Sequence, residues 1–166
     1  MRPRSVTARL PNAWLPGADW ADCYELLFLG ERLTALEAAR RTLGSAPRWV
    51  RNLLALRNRL MAPFGLKAAI PAAAGGLVGA FPIVGEGERE TVLGFDDRHL
   101  DFRIVVDVRD GPAESQVIGI TTLVRRKNLL GYLYLAAVTP FHKAIVPTLL
   151  AEVNARYEPV TVRASR

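Results

Sequence analysis

At 166 residues and a net charge of +6, the chain is long enough for one domain with a real core. Half of its residues are apolar and 23% are charged, which excludes a disordered chain. Cys23 is the only cysteine, so an internal disulfide is excluded, and no Cys/His cluster has zinc spacing.

Residues 1–17 carry Pro3, Pro11, Pro16 and Gly17 and read as extended or irregular, with Trp14 and Leu15 tucked onto the core. The basic start has no apolar run of the signal-peptide kind, and a cytoplasmic protein is expected. Asp22 to Leu29 alternates in the manner of a first strand and ends at Gly30, with a short helix from Ala18 as the alternative. Thr34 and Glu37 have capping-box spacing before a short helix over 35–43, closed by Gly44. Ser45 then opens a second helix, with Trp49, Val50, Leu53, Leu54, Leu60 and Met61 at helical spacing, stopped by Pro63 and Gly65. Residues 68–85 are uncharged but rich in Ala, Gly and Pro, a loop composition rather than a spanning helix.

The period then changes from helical to alternating. Phe81 to Val84 and Glu90 to Phe95 read as short strands about a turn at 85–87. Leu100, Phe102, Ile104, Val106 and Val108 alternate with Asp101, Arg103 and Asp107, so one face is expected to be buried and the other wet. After the turn at Asp110, Gly111 and Pro112, the last strand runs over 116–124. Asn128 is placed to cap a long helix over 129–157, where Pro140 and Pro147 predict a bend or a restart capped by Thr139. The uncharged stretch 129–141 is too short to cross a bilayer and reads as buried helix. The expectation is one α+β domain over 1–166, with its ordered core over 14–157. A curved antiparallel sheet of about five strands packs on a long C-terminal helix, with two shorter helices after the first strand.

That order is similar to the helix-grip arrangement of the START and Bet v 1-like superfamily, in which a curved sheet grips a C-terminal helix around an apolar cavity. The stretches ADWADCYELLF, PRWVRNLLALRNRLMAPFGL, GFDDRHLDFRIVVDV and TTLVRRKNLLGYLYLAAVTPFHKAIVP resemble one bacterial family of unknown function. Its members occur alone or fused behind NAD(P)-dependent epimerase-like domains. The resemblance implies a fold and an oxidoreductase partner context, and no catalytic residues. A GxGxxG after a strand is absent, so no dinucleotide site is read here.

The densest polar cluster is Asp96, Asp97, Arg98, His99, Asp101 and Arg103. His99 with Asp97 or Asp101 is the candidate acid/base pair of a cyclase or hydratase. The alternation instead predicts a solvated strand face that points away from any cavity. His142 is expected on the helix surface or at a pocket mouth, and Ser45, Ser115 and Cys23 lack a nucleophile signature. Trp49, Leu53, Phe102, Ile104, Tyr134 and Phe141 are the candidate walls of an apolar pocket, with 68–85 as a lid. The leading expectation is therefore a binder of a small apolar or amphipathic ligand, without metal or cofactor. The alternatives are the acid/base enzyme and an interaction partner of an epimerase-like oxidoreductase. The basic residues are scattered without interleaved aromatics, which argues against a nucleic-acid partner. A membrane-surface role for the Arg-rich helix over 46–61 is a more distant option.

Overall fold

The computed structural model describes residues 2–44, 48–49, 52 and 76–155. Strands β1 (Arg4–Val6) and β2 (Trp20–Phe28) lead to helix α1 (Ala35–Leu43). Strands β3 (Leu77–Val78), β4 (Phe81–Glu86), β5 (Glu90–Asp96), β6 (Leu100–Asp110) and β7 (Gln116–Arg126) follow, and helix α2 (Leu129–Ala155) closes the chain. All seven strands form one antiparallel sheet in the order β1-β2-β7-β6-β5-β4-β3. β7 returns from β6 through a tight turn and lies between β6 and β2, which places the start of α2 where β2 begins.

The sheet has seven strands rather than five. The two additional strands, β1 and β3, are three and two residues long. Neither is long enough to show an alternation, so only pairing with a neighbour reveals them. Of the expected second helix, Arg48, Trp49 and Asn52 are described and are helical; the rest, with Leu53 and most of the expected lid, lies outside the described residues. α1 has its capping box as read: Glu37 N–H donates to Thr34 Oγ1, and Thr34 N–H donates to Glu37 Oε2 at 2.8 Å.

α2 runs through both prolines without a restart, and Thr139 donates to Leu135 O instead of capping a new helix. Asn128 Oδ1 accepts from Gly131 N–H at 3.2 Å, which caps the start. Only one side of α2 is covered. Leu135, Val146, Leu149, Leu150 and Val153 are buried, while Leu129, Tyr132, Leu133 and Phe141 are exposed. The expectation of a buried segment over 129–141 is thus corrected: that half lies along the molecular surface. Leu129–Asn154 is long and apolar enough to cross a membrane by length and composition, with 17% of its most apolar stretch buried.

Alternation sends Tyr24, Leu26 and Phe28 of β2, Leu93 of β5, Ile104, Val106 and Val108 of β6, and Ile118 and Ile120 of β7 to one face. They merge with Val146, Leu150 and Val153 of α2 and with α1 into the main core. The opposite face is not simply wet. Val92, Val105 and Leu123 pack there against Leu15, with residues 12–18 laid across the sheet. The N-terminal segment buries what the strand pattern alone assigns to solvent.

Candidate functional site

Trp20, Asp22 and Tyr24 share the inner face of β2 by strand alternation. Asp22 therefore sits in the same row as Leu26 and Phe28, an acid inside an apolar run. The register sets it beside Thr122 of β7, which in turn neighbours Ile104 of β6. The next row is Trp20, Val124 and Phe102. From above, the middle of α2 lowers His142 onto these rows.

His142 Nε2 lies 3.0 Å from Asp22 Oδ1, with 16% and 14% of the two side chains exposed. Trp20 meets the imidazole edge-on at 5.6 Å. The second carboxylate oxygen, Asp22 Oδ2, is buried without a hydrogen-bond partner among the described residues, and so is the hydroxyl of Thr122. Thr122 as a whole is 2% exposed. Each unmade bond of this kind costs about 1–3 kcal/mol, and more for a charged oxygen. Buried polar groups are almost always satisfied, so two orphans on adjacent strands in one cross-strand row are unusual.

A cleft of about 460 Å³ lies on the β1 side of the sheet and reaches this spot at Asp22; Thr122 and His142 do not line it. Residues 5–8 of the edge segment, Trp20, Ala21, Asp22 and Tyr24 of β2 and Lys143 of α2 line it. The Tyr24 hydroxyl is pushed above the ordinary tyrosine range, first by burial and then by the charge of Asp22.

The sequence candidates divide. His99 is 1% exposed and lies in the turn between β5 and β6. Its Nδ1 is 3.4 Å from Asp97 Oδ2, and its ring meets Tyr134 of α2 edge-on at 5.3 Å. The expected solvent exposure is thereby corrected for His99, while Asp96 and Arg98 of the same cluster are exposed. The turn is sewn inward by Lys127 N–H donating to His99 O at 2.9 Å and by Asn128 Nδ2 donating to Arg98 O at 3.1 Å. Asp101 is buried too, but on the opposite face, paired with Arg125 and with Lys127 Nζ at 2.5 Å. It belongs to a separate ion-pair group and does not join His99.

Of the expected apolar walls, Ile104 is buried in the core, Phe102 packs among Phe81 and Phe95, and Tyr134 is half-buried beside His99. Trp49 is 46% and Phe141 52% exposed, so neither lines the space between sheet and helix; Leu53 lies outside the described residues. Cys23 is buried on the outer face, accepts a hydrogen bond from Thr121 Oγ1, and has its thiol pushed up by burial, the state of an inert thiol. Among the described residues no group of three His, Cys, Asp or Glu side chains is placed to hold a metal ion.

Sequence reasoning missed the Asp22–Thr122–His142 site. Asp22 and His142 are 120 positions apart, and no spacing rule joins them. The legible signal was Asp22 itself, in phase with Tyr24, Leu26 and Phe28.

Fold and site together define an α+β domain with an open seven-stranded antiparallel sheet packed on a C-terminal helix, compatible with a helix grip, and a polar spot between sheet and helix. The chain belongs to a family of proteins of unknown function, DUF2867, whose model matches residues 14–149. No curated protein and no solved structure matches the chain.

Proposed function

We propose that this is a helix-grip-like domain that binds a small amphipathic molecule between its sheet and C-terminal helix. The polar head is received by Asp22, Thr122 and His142, and the apolar part lies toward Phe102, Ile104 and Tyr134. The observation that carries this reading is the pair of buried atoms Asp22 Oδ2 and Thr122 Oγ1, without partners among the described residues, beneath an otherwise apolar layer. A protein core gains nothing from such atoms, whereas a ligand that supplies their hydrogen bonds recovers their cost on binding. Binding sites combine an apolar wall with a few polar groups in this way.

The experiment is a thermal-shift screen with lipids and aromatic metabolites on the wild type and on Thr122→Val. A ligand that stabilises the wild type, and stabilises the variant less, supports the reading. Stabilisation by no amphiphile in the screen contradicts it, because a ligand that binds only the folded state must raise its melting temperature.

A second reading makes the domain an acid/base enzyme through His99 and Asp97. Its support is the burial of His99 with a carboxylate 3.4 Å away and Tyr134 against the ring. A cyclase or hydratase activity that survives His99→Gln removes it.

A further inference from the structure

We infer that the head group accepted at Asp22 is an ammonium, so that the ligand is an organic amine; this rests on the ligand-binding reading above. The immediate company of the carboxylate points to a cation. Trp20 and Tyr24 stand two residues to either side of Asp22 on the same face of β2, and all three are among the residues that line one cleft. A carboxylate between two aromatic side chains suits an organic cation, which gains charge pairing from the acid and attraction to the ring faces from its neighbours.

The hydrogen-bond balance agrees. One oxygen of Asp22 is engaged by His142 and the other accepts nothing from the described residues. A carboxylate only accepts, so the missing partner must be a donor. Ammonium carries several donors and can serve Asp22 and the neighbouring Thr122 hydroxyl together, whereas a ligand carboxylate would set two anions side by side. The negative charge here is felt by its surroundings, since the Tyr24 hydroxyl is raised partly by Asp22. Lys143 in the cleft lining opposes a cation, and its side chain is exposed to water, which weakens that opposition.

The test is titration calorimetry at about pH 8, where imidazole is ordinarily neutral. The probes are benzylamine and hexylamine beside hexanol and hexanoate, on the wild-type full chain, Asp22→Asn and Lys143→Gln. Both amines are expected to bind saturably, and hexanol and hexanoate about tenfold or more weaker. Asp22→Asn, nearly isosteric, removes amine binding, while Lys143→Gln strengthens it about threefold, the size of an exposed charge interaction. Lys143 is a surface residue, so its variant reads the charge effect even where Asp22→Asn disturbs folding. Amine binding that is unchanged in Asp22→Asn, or weakened in Lys143→Gln, overturns the ammonium assignment. Hexanoate or hexanol binding in preference to the amines also overturns it and leaves the ligand-binding reading standing. Binding by none of the four probes counts against both.

Discussion

Thr122 differs from valine by a hydroxyl in place of a methyl, and that hydroxyl is buried without a partner among the described residues. Removing an unsatisfied group while keeping its shape returns its desolvation cost. Thr122→Val should therefore raise stability by about 1 kcal/mol in urea unfolding, even as it weakens ligand binding. A threonine doing structural work would show the opposite sign. Glu25, on the outer face, is a different kind of acid. Arg109 first and Arg4 second hold its carboxyl below the ordinary glutamate range. The folded state thus binds fewer protons than the unfolded chain as acid is added, so stability rises with pH in that window. Its contribution is fully present above about pH 4.3 and is lost as pH falls through its depressed value. Glu25→Gln should flatten the acid limb of the stability–pH curve, with little change in its slope above neutrality. At this scale the sequence was only partly legible. The position of Asp22 in an apolar phase could be read, but its pairing with His142 depends on where a helix 120 positions away lands on the sheet.

Helix α2 is apolar on nearly every side yet buried on one, and its two halves should respond differently to mutation. Leu150 is fully buried against the main core, so Leu150→Ala should cost about 2–5 kcal/mol in chemical denaturation. Leu133 is 61% exposed, and Leu133→Ala should stay within about 0.5 kcal/mol of the wild type. Near the start of the helix, Gly131 lies so close to the turn that a methyl group there would sit 2.2 Å from His99 O. Gly131→Ala must push α2 off the sheet, with an expected loss of about 1–3 kcal/mol despite the higher helix propensity of alanine. At the element scale the pattern was mostly plain. The capping box at Thr34 and Glu37 and the cap at Asn128 are local chemistry, visible in a few residues. The passage of α2 through Pro140 and Pro147 was not visible. Each proline removes one intrahelical bond, and the packing of Val146, Leu150 and Val153 on the sheet outweighs that loss.

For the molecule as a whole, the sheet-on-helix architecture followed from a change of period, from helical spacing to alternation and back. The strands over 81–124 and the long helix after them needed no more than that. What the sequence hid was set by tertiary pairing. β1 and β3 are too short to carry a pattern of their own. The outer face of β6 read as wet because its cover, Leu15 and the segment around it, lies in a proline-rich stretch without periodicity. The buried His99 and the separation of Asp101 from it have the same origin: alternation says which residues share a face, not which face another segment covers.

The central claim is that the layer between sheet and C-terminal helix holds a ligand site centred on Asp22. Amide chemical-shift mapping with benzylamine at about pH 8 tests it most directly. The account predicts saturable shifts confined to Trp20, Asp22, Tyr24, Thr122, His142 and Lys143. Shifts scattered over the exposed side of α2, at Leu133, Ala137 and Phe141, with none on β2 or β7, would contradict it.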